Sequence, residues 1–282
     1  MKIVPSFLLL LLFSSLYTSA QEKAVAKVLY KFTHLNDTLH KDKLLRDDVV
    51  TYLGQQSAYY SSYTDVKIKN DIAAQKLVAD FSGHLVVNFS TTPIKEFYLI
   101  MPAKDKLYKI ETISSSFDAF FYEVPLEKQD WEILEDTKVI GGYTCQLAKT
   151  HFKGRDYEAW FTAELPFYFG PWKLHGLPGL ILSAQDSKGE VKFEYVGFDK
   201  VEGEELVIEI PYYVIKSSKE EINKLRDVFK NDQGKYYESL RNSGRFDLGS
   251  QFYGIDYTKH QIDMKFDETY QPSHQTNNPI EK

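Results

Sequence analysis

A run of turn-forming residues that leads into an apolar stretch, at 170–182, constrains the fold more than any other feature of the sequence. The run GPWKLHGLPGLIL places three glycines and two prolines around one tryptophan. Its segment 177–180 predicts a type II turn, because Pro178 presets a φ near −65° and Gly179 accepts the positive φ required next. The apolar residues 180–182 then predict the start of a buried strand. The chain therefore contains a tight loop that enters the core of a sheet.

Aromatic residues and short stretches of alternating polarity predict a mainly β (α+β) fold. Tyrosine and phenylalanine number 20 and 19, and aromatic residues make up 15% of the chain, which favours strands. In the segment 25–33, Val28, Tyr30 and Phe32 alternate with lysines, as in a strand with one buried face. Hairpin turns are predicted at Gly141-Gly142 and at 153–156. The other predicted strands are 49–53, 85–89, 97–101, 107–112, 131–134, 137–140, 145–152, 157–162, 180–183, 191–198 and 206–214.

Two segments carry helical patterns. The first is 65–80. The second is an amphipathic C-terminal region that begins with a capping box, in which Ser218 is the N-cap and Glu221 is the third helical residue. Apolar residues follow at helical spacing from Ile222 to Phe229. Gly234 is expected to interrupt this helix.

The first 20 residues have the organisation of an export signal, with Lys2 before an apolar stretch and small residues at 18–20. We therefore expect a signal peptide at 1–20, a single β-rich domain at 21–270 and a flexible polar tail at 271–282. No later segment is apolar enough over about 20 residues to predict a membrane span in the mature chain. The expected location is the periplasm, the outer membrane or the extracellular space.

Charge and cysteine content exclude several classes of protein. The formal net charge is −6, and no basic patch with interleaved aromatic residues indicates binding to nucleic acid. Cys145 is the only cysteine, so no intramolecular disulfide can form. The histidines have no metal-ligand spacing; His34 and His40 share a loop with two aspartates, which a solvated loop explains. No cofactor and no metal ion are expected.

Several ordered motifs resemble the GLPGLI family of exported bacterial (Bacteroidota-type) envelope proteins, which is named after the sequence at 176–181. The segment 136–145 (DTKVIGGYTC) is similar to one motif of that family, and 154–162 (GRDYEAWFT) is similar to another. The ending 278–281 (NPIE) also matches, and the resemblance covers most of the chain after residue 20. Its structural signature comprises Gly176, Leu177, Pro178, Gly179, Leu180 and Ile181.

This resemblance implies an exported domain with a curved antiparallel sheet, shaped like a bowl or a half-barrel. It also implies an envelope role, beside outer-membrane transport or export machinery. A similar domain stands at the front of a bacterial glycan-releasing amidase, whose chemistry lies elsewhere in that enzyme. The leading hypothesis is therefore a non-catalytic accessory protein that binds a partner or a small apolar, peptide or glycan ligand.

The candidate binding residues are Arg155, Trp160, Tyr168, Trp172 and His175. Together with Phe169, the last three would form an aromatic rim able to stack a sugar ring, a peptide side chain or a lipid chain. The guanidinium of Arg155 suits a carboxylate. Simpler explanations compete: both tryptophans would be core residues, and Arg155 would pair locally within its turn.

Two further hypotheses stay open. A hydrolase or peptidase would draw on Cys145, His175, Asp156 and Arg155, although a lone cysteine in a strand is more often a buried apolar residue. Alternatively, the protein is a structural interaction module of an outer-membrane transport system, which docks through exposed strand edges or tyrosines.

Overall fold

One large, open, curved sheet dominates the structure. The computed structural model describes residues 22–89, 91, 94–201, 206–245 and 247–282, so the predicted export signal lies outside the described residues. The strands among them are β1 (Ala26–His34), β2 (Leu45–Leu53), β3 (Ala58–Ser62), β4 (His84–Phe89), β5 (Glu96–Met101), β6 (Lys106–Thr112), β7 (Ala119–Val124), β8 (Glu132–Ile140), β9 (Tyr143–Phe152), β10 (Arg155–Thr162), β11 (Leu180–Asp186), β12 (Val191–Lys200), β13 (Ile215–Lys216) and β14 (Gln261–Phe266).

Across the described residues, twelve of these strands form the large sheet in the order β13-β7-β6-β5-β3-β2-β1-β12-β11-β10-β9-β8. The pairs are antiparallel except β7 with β13. The remaining strands, β4 and β14, form a separate parallel pair. The prediction of a mainly β fold with a curved antiparallel sheet is confirmed.

The centre of the large sheet is β1, which pairs with β2 on one side and β12 on the other. Val28, Tyr30 and Phe32 project from one face and are at most 6% exposed. Alternation along this strand therefore places three large side chains in the core, as predicted. Beyond β12, residues Leu180–Leu182 are fully buried at the start of β11, which confirms that the glycine- and proline-rich run leads into the core.

The helices are α1 (Thr64–Lys76), α2 (Lys219–Asn231), α3 (Gln233–Asn242) and α4 (Leu248–Tyr253), and Pro102–Lys104 form a short 3-10 turn. None of the helices among the described residues is long and apolar enough to span a bilayer. The capping box of α2 is confirmed, because the Ser218 hydroxyl accepts from Glu221 N and the Glu221 carboxylate accepts from Ser218 N.

Three local predictions are wrong. The segment 206–214 does not form a strand, because Pro211 lacks an N–H and turns the chain, and Val214 N donates to Pro211 O. Gly234 does not break the helix; the break falls at Asp232, whose carboxylate accepts from Lys235 N and caps α3. The turn after β9 contains only Lys153 and Gly154, both with positive φ, so Arg155 belongs to β10.

A buried carboxyl group on β2 links this strand to the segment before β5. Asp47 is 2% exposed; one oxygen accepts from Ile94 N at 2.8 Å and the other lies 2.7 Å from the Thr64 hydroxyl. Burial raises the pKa of Asp47 to about 7, and these hydrogen bonds oppose the shift only in part. When protonated, Asp47 can donate to Thr64, which donates in turn to the Thr91 hydroxyl 2.8 Å away.

We expect Asp47 to make the protein less stable as the pH rises from about 4 to about 7. In that interval the folded state keeps a proton that the unfolded state has released, since the unfolded pKa is near 4. The full cost, roughly 4 kcal/mol at 1.36 kcal/mol for each pKa unit, applies above pH 7. Asp47→Asn should remove this slope and stabilise the protein at pH 8. Urea titrations at several pH values between 4 and 8 measure the free energy of unfolding and hence this slope.

The neighbouring Asp48 provides a matched control for this prediction. Asp48 is more exposed and pairs with Lys67, and its charge is the smallest of the printed contributions to the Asp47 shift, so Asp48→Asn should leave most of the slope between pH 4 and pH 7 in place. Equal pH profiles for the wild type and Asp47→Asn would contradict the expectation.

Candidate ligand-binding site

The loop between β10 and β11 leads into the signature 176–181, and earlier residues of the same loop hold the signature in place. Leu180 N donates to Leu165 O, and Ile181 N donates to Phe169 O. Within the signature, Gly179 N donates to Leu177 O at 2.8 Å, which is the hydrogen bond of a three-residue γ-turn. The predicted type II turn is therefore wrong, because the N–H that would close it is taken by Leu165.

Gly179 is required here by close approach of the backbone. A Cβ at this position would lie 2.1 Å from the carbonyl oxygen of Thr162. The loop therefore packs directly on the end of β10, at a separation that only glycine permits.

Trp172 belongs to the same loop, and its side chain lies in the core, where it is 3% exposed. Its ring contacts Phe152 edge-on, with centroids 5.5 Å apart, and tilts against Tyr157 at 5.9 Å. Its φ of +58° is unusual for a bulky residue, and such strain persists only where the surroundings enforce it. Phe169 is also buried, whereas Tyr168 is 56% exposed. The structure thus separates the residues of the predicted aromatic rim.

His175 is held from the opposite side by the segment before β8. Its backbone N donates to Gln129 Oε1, and its carbonyl accepts from Trp131 Nε1. Burial lowers the pKa of its ring. These contacts give His175 a structural role in fixing the loop.

The remaining sequence candidates lie apart from this loop. Trp160 is half-buried in β10, and Lys138 of β8 sits over its ring, 4.1 Å from the centroid. Cys145 is fully buried, and burial raises the pKa of its thiol. Asp156 pairs at the surface with His151. In the described structure, Cys145, His175, Asp156 and Arg155 make no hydrogen bond with one another, so the catalytic set of the enzyme hypothesis is not assembled.

Arg155 is the centre of a buried hydrogen-bond network at the start of β10. Its Nη1 donates to Asp186 at 2.6 Å and to Glu190 at 2.9 Å. Its other nitrogens donate to the Asn278 side chain and to the carbonyls of residues 279 and 280. With 2% of its side chain exposed, Arg155 has no surface free for an external carboxylate. It anchors the end of the chain.

Residues 273–282, called the strap here, lie against the sheet. Asn278 is 4% exposed; its side chain donates to Leu35 O, and its carbonyl oxygen lies 2.8 Å from Nε2 of His34. Further along, Glu281 pairs with the buried Lys173. Polar side chains and carbonyls of this segment thus bind buried groups of the domain, and the flexible tail at 271–282 stays a prediction.

The beginning of the strap is held by the loop after β1. Asn36 Nδ2 donates to the carbonyls of Ser273 and Gln275, at 3.0 Å and 2.6 Å. The carboxylate of Asp37 accepts from Ser273 and Asn277. The hydroxyl of Ser273 and the ring of His40 lower the pKa of Asp37 to about 2. This loop is thus an anchoring segment, and among the described residues no group of three His, Cys, Asp or Glu side chains is placed to hold a metal ion.

A cavity of about 360 Å³ lies between the strap and the sheet, at the lower end of the range for small-molecule sites. Its lining residues come from the sheet, the loop after β1, the segment before β5, the signature loop and the strap. They are Phe32, His34, Asn36, Leu45, Tyr60, Ile94, Lys95, Glu96, Trp172, Ser273, His274, Thr276, Pro279 and Ile280. Of the five sequence candidates for binding, only Trp172 is in this set.

The cavity combines aromatic walls with two charged residues, the exposed Lys95 and the internally paired Glu96. Phe32 and Tyr60 are core residues that reach it from the sheet. The carboxylate of Glu96 accepts from Tyr98 and from Lys109, each at 2.7 Å. Burial lowers the pKa of His34 to about 4, so its imidazole is neutral at pH 7 and donates from Nε2 to Asn278 O. Ser273, another lining residue, donates its hydroxyl to the buried Asp37 carboxylate at 2.7 Å.

The sequence pattern did not reveal Asn36, Tyr60 or Ile94 as site residues, because they come from three segments far apart in the chain. One signal for the strap was present. The ending 278–281 is part of the resemblance stated above, and its asparagine and glutamate are the residues that bind Arg155 and Lys173.

Comparisons with known proteins found one matching family model and several similar solved structures. Residues 65–204 match the model of a family described as the N-glycanase peptide, N-terminal domain. The fold is similar to two crystal structures of PNGF-II, at 14% identity in both and TM-scores of 0.46 and 0.45, over 71% of this chain and 32% of that one. The chain thus matches about a third of the length of PNGF-II.

An uncharacterized conserved protein from Thermus thermophilus is similar at 10% identity and a TM-score of 0.33, over 69% of this chain and 91% of that one. A search of the curated proteins found no significant match.

Proposed function

We propose that this protein is a non-catalytic, exported glycan-binding protein whose ligand occupies the cavity beneath the strap. The observation that carries the proposal is the cavity itself, which has aromatic walls and polar side chains among its lining residues. Carbohydrate rings suit such a site because their C–H faces pack on aromatic rings and their polar substituents need fixed hydrogen-bond partners.

Two observations support the glycan class and the export. The family model that matches 65–204 describes the N-terminal domain of an N-glycanase. The apolar leader and the GLPGLI resemblance support an envelope location, with outer-membrane transport or export machinery as the expected partner. An accessory role beside that machinery requires binding without chemistry, which agrees with the separation of Cys145, His175 and Asp156.

The test measures binding of the purified protein to a panel of oligosaccharides by isothermal titration calorimetry. Thr276 lines the cavity and is exposed, so Thr276→Trp should fill the mouth and reduce affinity at least tenfold. The matched control is Gln275→Trp, since Gln275 is exposed on the same strap and does not line the cavity. The proposal fails if no saccharide binds, or if both variants bind as tightly as the wild type.

A further inference from the structure

One end of the large sheet is the free edge of β8. Across the described ranges, β8 pairs with β9 alone, and the strand order ends there. Residues 135–139 of this strand are all exposed, so both of its faces are open to solvent as well as its outer side. A long exposed edge of this kind presents a row of unpaired main-chain groups to which another strand can add. β8 is therefore the part of the sheet best suited to pair with another chain.

The hairpin of β8 and β9 fixes which main-chain groups face outward. Its turn, 141–142, has two residues, and both glycines have positive φ, at +59° and +89°. The residue pair that closes such a turn is hydrogen-bonded and the next pair is not; that next pair is Val139 with Thr144. Thr144 N agrees with this pattern, because it donates to the Glu164 carboxylate at 2.8 Å instead of to β8. The N–H and C=O groups of Val139, and by the same alternation those of Thr137, thus point away from β9.

The charges on either side of Thr137 complement a second copy of the same strand. If two copies of β8 run antiparallel with Thr137 opposite its own counterpart, Asp136 of each copy lies opposite Lys138 of the other. Opposite charges in directly opposed positions stabilise a strand pair, and like charges destabilise it. Moving the two-fold centre by one residue would place Asp136 opposite Asp136, or Lys138 opposite Lys138. The sequence therefore favours one register, and in that register Glu135 faces Val139 rather than another charge.

We propose that the protein forms a homodimer in which the β8 edges of two copies pair antiparallel around a two-fold axis at Thr137. The two Thr137 residues exchange N–H···O=C hydrogen bonds across the axis, and the ion pair between Asp136 and Lys138 forms twice. Such an interface is self-complementary, as a two-fold axis requires. The opposite edge of the sheet is β13, which has two residues, so pairing through β8 produces a closed dimer instead of a fibre. No residue of β8 lines the cavity beneath the strap, and the dimer is independent of the ligand proposed there.

A bulge limits the length of the paired segment. The register of β8 with β9 shifts between Ile133 and Thr137, and a bulge bends the strand that carries it. The proposed axis lies where the regular ladder begins. Val139 is 70% exposed in the single chain and becomes partly buried at the contact. Because the contact is short, we expect a reversible dimer whose population rises with protein concentration.

Sedimentation equilibrium of the purified protein over a wide range of concentrations tests this proposal. We expect the mass to rise from that of one chain to that of two as the concentration increases. Thr137→Pro removes a central N–H that β9 does not use, and proline is tolerated at such positions of an edge strand. This variant should weaken the dimer at least about tenfold, since each of the two copies loses a hydrogen bond.

An exchange of charges provides an independent test. Asp136→Lys places two lysines opposite each other on both sides of the axis and should weaken the dimer at least about tenfold. Asp136→Lys combined with Lys138→Asp returns opposite charges to each pair and should restore the dimer. The control is Lys224→Glu at an exposed position of α2, which should leave the dimer unchanged.

Circular dichroism melts establish that each variant is folded before masses are compared. A wild type that stays a single chain at every concentration overturns the proposal. A dimer that both Thr137→Pro and Asp136→Lys leave intact also overturns it, because such a dimer must use another surface. A folded double variant that remains monomeric overturns the proposed register and the interface with it.

Discussion

Replacing Gly179 with alanine should lower the free energy of unfolding by about 3 kcal/mol or more, because the new methyl group has no space. Its Cβ would lie 2.1 Å from the carbonyl oxygen of Thr162 and 2.9 Å from the backbone nitrogen of Ala163. Both are main-chain atoms of the sheet, so they cannot move aside as a flexible side chain would. Relief requires the loop to lift from β10 and to break the bond from Leu180 N to Leu165 O. Urea denaturation followed by circular dichroism measures the loss.

Gly176 offers a matched control within the same signature. Its φ is +92°, but a Cβ there has no atom within 4 Å among its neighbours. Gly176→Ala therefore tests backbone conformation alone, which should cost about 1–2 kcal/mol. Equal losses for the two variants would mean that close packing on Thr162 is not the reason for Gly179.

Replacing Arg155 with methionine should be the second severe change, with an expected loss of about 3–5 kcal/mol. Methionine preserves much of the side-chain volume, so the effect comes from the groups that lose their partner. Asp186 is 2% exposed and would lose its buried guanidinium partner. Hydrogen bonds from Asn278 and Arg155 hold the pKa of Glu190 below its usual range, against the effect of burial. That carboxylate would lose one of those bonds as well.

Arg155→Met should also release the strap from the sheet. Arg155 binds three successive residues of it, through the Asn278 side chain and the carbonyls of Pro279 and Ile280. Hydrogen exchange at 276–282 should therefore become faster in Arg155→Met even under conditions where β1 stays protected. The control is Lys106→Met on β6, where the ammonium is 40% exposed and pairs with Glu123, which is 52% exposed; it should cost far less stability than Arg155→Met, because exposed ion pairs contribute little. Unchanged exchange of the strap in Arg155→Met would contradict its role as an anchor.

The sequence predicts most of the sheet because local patterns specify it. Some features depend only on residues close together in the chain. They are the alternation in β1, the glycine pair between β8 and β9, and the Ser218 capping box. The segment 206–214 misleads because its apolar residues pack against the sheet from irregular backbone. Ile208 and Val214 are 4% and 8% exposed, and burial alone does not distinguish a strand from a packed loop.

The site is less predictable because tertiary contacts create it. The sequence around Trp172 is compatible with a residue at a binding rim and with a core residue. Only the ring contacts with Phe152 and Tyr157 show that Trp172 is in the core. Arg155 looks like a turn residue with local acids nearby, yet its partners at 186, 190 and 278–280 come from other parts of the chain. A polar C-terminal segment usually predicts disorder. The sequence does not show that buried groups elsewhere in the chain bind its side chains.

The strap also has a consequence for the order of folding. The bond from Asn36 to Gln275 joins residues 239 positions apart, so closing it costs more chain entropy than any hairpin of the sheet. Contacts of such long range should form late. The cavity would then acquire its last wall only after the sheet is complete. A ligand added during refolding should bind in step with the final kinetic phase, which makes binding a reporter of completed folding.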